Sequence, residues 1–326
     1  MQKDKFNLGK EVDFVQNVYN FTFIDLFAGI GGIRRPFQLF GGECVFSSEI
    51  DKFAQKTYEE NWGEKPHGDI TKIDEKDIPD FDILLGGFPC QSFSIAGKRG
   101  GFSDTRGTLF FDIARIIKEK KPKAFLLENV KGLLSHDKGK TFNTILSVLE
   151  CDLGYKVYYK VLNAKDYGVP QNRERIIIVG FKDHSVDFSF PEPSGVKVKV
   201  GDILEETVDE KYTISDKMWK YQQDRKTLQK AKGNGFGYSL FNKESPYTST
   251  ISARYYKDGA EIYIEQEGKN PRKITPREAA RLQGFPDSFK IVVSDVQAYK
   301  QFGNSVPTKM IGAVAEKMLN AMFAKS

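Results

Sequence analysis

Phe21-Thr22-Phe23-Ile24-Asp25-Leu26-Phe27-Ala28-Gly29-Ile30-Gly31-Gly32 starts with alternating aromatic and β-branched residues and runs directly into a glycine-dense turn. Its first half has the make-up of a strand. The turn leads into Ile33 to Phe40, which reads as a helix. Strand, glycine turn and helix in that order form the first unit of a dinucleotide-type α/β fold. The glycines let a ligand approach the backbone, and the helix start favours a negative group. Such turns often only connect elements, so the next unit carries weight. Cys44-Val45-Phe46-Ser47-Ser48 reads as a second strand and ends at Glu49, twenty residues after Gly29. An acid there is placed to hold ribose hydroxyls. Asp69-Ile70 adds a group suited to an adenine amino function. Together these features point to an adenosine-containing cofactor, without separating a nicotinamide from S-adenosylmethionine.

A second stretch carries the chemistry. The apolar run Phe81-Asp82-Ile83-Leu84-Leu85 reads as a buried strand. It is broken by Gly86-Gly87-Phe88-Pro89, and Cys90-Gln91-Ser92-Phe93-Ser94 follows. Most lone cysteines are inert core fillers. Cys90 instead lies among polar neighbours in a loop at the carboxyl edge of a sheet, which suits a nucleophile. The glycine-rich, basic Gly97-Lys98-Arg99-Gly100-Gly101-Phe102 has the composition of a lid that closes on substrate, or of a plain surface loop. Thr108 would cap a helix with apolar face Leu109, Ile113, Ile116 and Ile117, ending at Lys118-Glu119-Lys120-Lys121-Pro122. The strand Lys123 to Leu127 then delivers Glu128-Asn129-Val130, a carboxylate that burial makes costly unless it has work or a partner. Further strands are expected over Tyr155 to Leu162 and Arg175 to Phe181. Between them, Arg173 and Arg175 are two residues apart, which places them on one face if the chain is extended.

The bulk composition bounds the class. At 326 residues the chain suits one large domain plus a smaller one. No apolar run is long enough to span a bilayer, and no charged-then-apolar leader opens it. Three cysteines without a CxxC pair, and three scattered histidines, argue against a disulfide framework and a metal site and favour a cytoplasmic setting. The net charge of +5 is unevenly spread. Residues 183–216 hold nine acidic and three basic side chains, whereas residues 217–257 hold nine basic and two acidic. The basic block also carries Trp219, Tyr221, Phe236, Tyr238, Phe241, Tyr247, Tyr255 and Tyr256. Cations interleaved with rings suit nucleic acid; a solvated charged face is the plainer alternative.

Five segments in order now carry a resemblance: Phe27-Ala28-Gly29-Ile30-Gly31-Gly32, Gly87-Phe88-Pro89-Cys90-Gln91, Glu128-Asn129-Val130, Gln171-Asn172-Arg173-Glu174-Arg175 and Gln301-Phe302-Gly303-Asn304-Ser305. From about Phe21 to the C-terminus the sequence resembles the DNA (cytosine-5)-methyltransferases. The resemblance implies an α/β fold: a doubly wound, mostly parallel, Rossmann-like sheet of the S-adenosylmethionine-dependent type. A second, smaller target-recognition domain accompanies it, with DNA in the cleft. The expected division is an N-terminal arm at 1–20, a catalytic and cofactor domain at 21–185, target recognition at 186–290, and a return to the catalytic domain at 291–326. Cys90, Glu128, Arg173 and Arg175 match catalytic positions. Phe27, Gly29, Ile30, Gly31, Gly32, Glu49, Ile50, Asp69, Ile70, Pro89, Leu109, Asn304 and Ser305 match positions around S-adenosylmethionine. The family flips its target base out of duplex DNA. Gln91, Ser94, Lys98 and Arg99 match the loop that closes over that base.

Lys232-Gly233-Asn234-Gly235-Phe236-Gly237-Tyr238 and Thr250 to Glu261 resemble the Dcm-type enzymes that methylate the inner cytosine of CCWGG, with CCNGG and CCGG readers comparable. Asn234, Phe236, Tyr238, Thr250, Ile251, Arg254, Tyr255 and Lys257 are the expected DNA contacts, Arg254 being suited to a guanine's O6 and N7. Two departures stand out. Ile50 replaces a tryptophan common in relatives, and Ala96 replaces a serine, each losing one contact without touching the reaction. A tRNA methyltransferase, a silent DNA-binding regulator and a nicotinamide oxidoreductase remain as alternatives. The resemblance also implies a monomer and, in many cases, a partner restriction endonuclease.

Overall fold

Phe23, Ile24 and Leu26 are wholly enclosed in β1 (Phe21–Leu26), the environment of a strand covered on both faces. The computed structural model describes residues 17–89, 109–235 and 237–323. Their contacts divide them into two units. One comprises the residues up to 162 with 174–192 and those from 311 onward; the other comprises 163–173 and 193–310.

In the first unit β1 leads to α1 (Arg34–Leu39), β2 (Gly42–Ser48), α2 (Lys52–Trp62), β3 (Ile83–Gly87), α3 (Leu109–Lys120), β4 (Ala124–Val130), α4 (Lys140–Ser147), β5 (Lys156–Asn163) and β6 (Glu174–Phe181). The six strands form one sheet in the order β2-β1-β3-β4-β6-β5. β1 pairs in parallel with both β2 and β3, and β3 with β4, while β6 is antiparallel to β4. β1 and β3 are neighbours whose chains leave in opposite directions across the sheet, the arrangement at whose carboxyl edge doubly wound sheets hold ligands. α3 is covered because Phe110, Ile113, Ile116 and Ile117 recur at helical spacing and join Leu84, Phe125 and Leu127 in the core. The helix expected from Ile33 starts one residue later, and the expected strand at Phe81 begins at Ile83. Asp69 stands between α2 and β3. Its carboxylate accepts the Thr71 N–H at 3.0 Å and caps a 3-10 turn.

Beneath the glycine turn a polar chain is buried. Arg34 Nη1 donates to the Tyr58 hydroxyl at 2.9 Å, which donates to Asp25 Oδ2 at 3.3 Å; Arg34 also pairs with Glu64. Burial pushes the Asp25 carboxyl up to about 8, against the opposing pull of Arg34 and Tyr58. The unfolded chain releases that proton near pH 4, so from about 4 to about 8 the folded state binds more protons. Stability from this group therefore falls as pH rises through that window. Asp25→Asn is expected to flatten the dependence and to melt about 5 °C above the unsubstituted protein at pH 8, with no advantage at pH 4. Equal melting at both values by calorimetry would refute the buried-acid reading. The same burial pushes the Cys44 thiol up to about 12, which keeps it protonated and inert.

The second unit holds α5 (Asp216–Ala231), β7 (Leu240–Phe241), β8 (Tyr263–Ile264), β9 (Arg272–Lys273), α6 (Pro276–Leu282) and α7 (Asp295–Asn304). α8 (Thr308–Phe323) begins there and continues in the first unit. β7, β8 and β9 form a small mixed sheet. Ile214, Ala260 and Tyr263 form a core on which Met218, Trp219, Tyr238 and Leu240 pack. α6 starts on a capping box, Thr275 with Glu278, and Arg272 clasps the same buried Glu278 through Nη1 and Nη2 at 2.7 and 2.8 Å. No helix among the described residues is long and apolar enough to cross a membrane.

Candidate active site

The carboxyl ends of β1 and β2 build a cradle from main-chain groups. Ala28 N–H donates to Ser48 O at 3.0 Å, and Glu49 Oε2 accepts the Gly29 N–H at 2.7 Å. Its other oxygen accepts from Asp51 N–H at 2.7 Å. Burial raises the Glu49 carboxyl above its ordinary value, with these N–H groups opposing. Gly31 has φ +84°, and a Cβ there would stand 2.2 Å from Trp62 Nε1, which donates to Ile30 O at 3.1 Å. The turn is therefore closed on one side by tryptophan. Gly29, at φ +55°, faces open space. Phe27 takes φ +54°, a left-handed conformation that is strained for an aromatic residue and marks a constrained site.

These groups fit an adenosine. The Glu49 carboxylate is of a kind that can hold ribose hydroxyls, and the next residue, Ile50, is 68% exposed, with Phe53 also exposed. That open apolar surface suits a base, and Ile50 supplies it without a ring face. Ile70 is buried beside the cap made by Asp69. Leu109 opens α3, and Pro89 is the last described residue before the segment that holds Cys90, Gln91, Ser94, Lys98 and Arg99. Those five residues, and Phe236, lie outside the described residues.

β3 and β4 bring the second group of residues together. Gly87 is in register with Glu128, and a Cβ on Gly87 would stand 3.4 Å from Glu128 Oε2. The glycine leaves the carboxylate room beside the chain that runs on to Cys90. Arg175, opposite Val130 on antiparallel β6, reaches back with Nε 2.9 Å from Glu128 Oε1. Burial lowers the Arg175 guanidinium pKa, against the pull of Glu128. The carboxylate predicted to need a partner has one. Asn129 has a part that sequence reasoning left unassigned: its Nδ2 donates to Phe88 O at 2.9 Å and ties the end of β4 to the turn after β3. A buried amide inside a quoted motif was the available signal.

Arg173 requires a correction. It does not share a face with Arg175. Its side chain is 1% exposed and donates to three main-chain carbonyls, Ile251 at 2.9 Å, Gly303 at 2.8 Å and Ser305 at 2.6 Å. The chain passes from one unit to the other between Arg173 and Glu174, so alternation along a strand does not apply. Through these bonds Arg173 braces the main chain. Gln171 does the same by accepting Ile251 N–H at 3.1 Å and donating to Leu282 O at 2.8 Å. Asn304 is exposed at the end of α7, and the Ser305 hydroxyl is enclosed without a hydrogen-bond partner among the described residues.

The expected DNA contacts separate into two groups. Arg254, Lys257 and Asn234 are exposed, and Thr250 is half-buried with its hydroxyl on Asn172 O at 2.5 Å. Ile251 and Tyr255 are fully buried and serve the core; the Tyr255 hydroxyl donates to Ile262 O at 2.6 Å and accepts from Ile274 N–H at 2.9 Å. Tyr238 lies under Lys226, whose Nζ is 4.1 Å from the ring centre, and packs edge-on against Trp219. Trp219, Tyr238 and Tyr255 of the basic block therefore pack within the unit itself, as large rings that exclude water, whereas Tyr221 and Tyr247 are exposed.

Comparison with known proteins gives the site its context. The profile of the C-5 cytosine-specific DNA methylase family matches residues 21–320. The chain is 66% identical over 307 residues to the type II methyltransferase M1.ScrFI of Lactococcus lactis subsp. cremoris, covering 93% of this chain and 79% of that one. It is equally identical to the type II methyltransferase M.SsoII of Shigella sonnei, over 93% of this chain and 81% of the other. Among solved structures, the S. pombe Dnmt2 methyltransferase shares the fold, with a TM-score of 0.77 at 21% identity, over 93% of this chain and 99% of that one.

Proposed function

The chain belongs to the C-5 cytosine-specific DNA methylases, and from that premise we propose which of its residues carry the reaction and where on DNA it acts. The enzyme transfers a methyl group to C5 of a cytosine in DNA. S-adenosylmethionine supplies the methyl when bound. The acid pair Glu128–Arg175, set at the end of the strand next to the one leading to Cys90, is the observation that carries the assignment of roles.

Cytosine C5 is a poor nucleophile. Addition of the Cys90 thiolate to C6 opens the C5–C6 double bond and makes C5 enamine-like. Glu128 hydrogen-bonds N3 and the exocyclic amine, drawing off charge as the thiolate adds. Arg175 holds Glu128 from one side and offers its guanidinium to O2. Once C5 carries the methyl group, loss of the C5 proton and departure of the Cys90 thiolate restore the ring. Glu49, Asp69, Ile50, Ile70, Phe27, Leu109, Pro89 and the glycine turn Gly29 to Gly32 bind the cofactor, with Asn304 and Ser305 added by the family resemblance. The open face at Gly29 and the orientation of Glu49 support this.

The target is the inner cytosine of a CC(N/W)GG duplex site. Arg254 contacts a guanine, Lys257 a phosphate, and Asn234 and Thr250 border the recognised bases. The exposure of Arg254 and Lys257 on one braced loop, and of Asn234, supports the reading. In this reading the methylation protects cellular DNA from a cognate endonuclease and the enzyme acts as a cytoplasmic monomer; the naming of its relatives as type II methyltransferases supports the first part.

Expression of the unsubstituted protein and of Cys90→Ser in a host lacking cytosine methylation, followed by bisulfite sequencing, tests this. Protected cytosines are expected at one short palindromic motif with the unsubstituted protein only. Protection that persists in Cys90→Ser would remove the nucleophile assignment, and protection at a different motif would remove the recognition assignment.

A further inference from the structure

α5 is polar on nearly every side, and Gln222 is its one fully buried side chain. Its Nε2 donates to Asp258 Oδ2 at 3.3 Å, while its Oε1 has no hydrogen-bond partner among the described residues. Arg225, one turn along, reaches the same Asp258 oxygen with Nη1 at 3.4 Å. A buried carbonyl left unpaired weakens a fold, and a leucine would fill this space beside Met218 without that cost. Stability alone does not account for a glutamine here, and such exceptions gather where function demands them.

What Gln222 holds is the loop from Ser252 to Glu261. Asp258 Oδ1 accepts the Ala260 N–H at 3.3 Å, and its main-chain oxygen accepts the Tyr263 hydroxyl at 2.6 Å. Ser252 Oγ donates to Glu261 Oε1 at 2.6 Å and accepts the Arg254 N–H at 3.1 Å. The loop is thus closed at its base and tied at Asp258 to α5, with Arg254 and Lys257 left exposed. We propose that Gln222, assisted by Arg225, is a positioning residue for target-site discrimination: it fixes Asp258 so that Arg254 meets its base pair in a single geometry. This rests on the reading that the loop faces DNA. A bidentate arginine loses its preference when its base shifts, because two bonds at fixed spacing supply the selectivity.

The test compares kcat/KM on a duplex carrying the cognate site with duplexes changed at one base pair each, alongside melting temperature. Gln222→Leu is expected to melt at or above the unsubstituted protein, to keep kcat on saturating cognate DNA within about twofold, and to lose about tenfold in discrimination at the pair read by Arg254. Asp258→Asn, which still accepts from the Gln222 amide, keeps discrimination; Asp258→Ala loses it. Unchanged discrimination in Gln222→Leu, or a lowered melting temperature in that variant, overturns the positioning role. Arg254→Ala separates the two levels. If it leaves base preference intact, the recognition reading fails; if it relaxes preference while Gln222→Leu does not, only the positioning role fails.

Discussion

Glu128→Gln lowers the rate of methyl transfer about a thousandfold and leaves the melting temperature within a few degrees. The amide has the size of the carboxylate and still gives the Arg175 guanidinium an acceptor at the 2.9 Å contact, so the packing at the ends of β4 and β6 survives. It cannot carry the proton or the full negative charge that N3 and the exocyclic amine require as the thiolate adds. Glu128→Ala behaves differently. It takes the carboxylate from the half-buried guanidinium of Arg175 and leaves it the Glu174 main-chain oxygen at 2.7 Å, so the protein melts lower as well as losing activity. Single-turnover methylation of a duplex by both variants, set against their melting curves, separates chemistry from folding. A Glu128→Gln enzyme with near-normal turnover would dismiss the carboxylate as a participant.

Arg173→Met is expected to lower the melting temperature by about 10 °C, the largest stability effect of any single substitution considered. Its guanidinium joins the carbonyl of Ile251 to those of Gly303 and Ser305 at the end of α7, two separate parts of the second unit. Methionine fills the volume but donates nothing, so three acceptors lose their partner in a place water does not reach. At about 1–2 kcal/mol each, the loss is about 3–6 kcal/mol. Activity per folded molecule falls much less than stability does, because none of these bonds is to a reacting atom. Calorimetry and active-site titration on the same preparation decide it. Normal melting with lost turnover would refute the bracing role and leave Arg173 a part in the reaction.

Sequence reading performed best where structure is local. β1, the glycine turn and Glu49 follow from strand composition, glycine spacing and the length of one strand-helix-strand unit. The structure adds that Glu49 binds the turn itself, at Gly29 N–H. The need of Glu128 for a partner was also legible, since a carboxylate near the end of an apolar strand, buried up to that point, cannot stand alone. The aromatic, basic block was read less well. Charge and ring content describe a composition, and composition does not distinguish a ring that faces DNA from one, such as Tyr255 or Trp219, that fills a small core.

The amino-acid sequence by itself determined the sheet's first strands, the turn after β1, the place of Glu128 near the carboxyl end of its strand, and the family. All of these depend on short-range periodicity and on ordered motifs. Tertiary structure alone decided what Arg173, Asn129 and Gln222 do. Each is a buried polar side chain whose role is set by the carbonyl or carboxylate it meets, 41 residues away for Asn129 and as many as 132 for Arg173. Hydrogen bonds of that reach obey no sequence period, so only the folded chain places donor against acceptor.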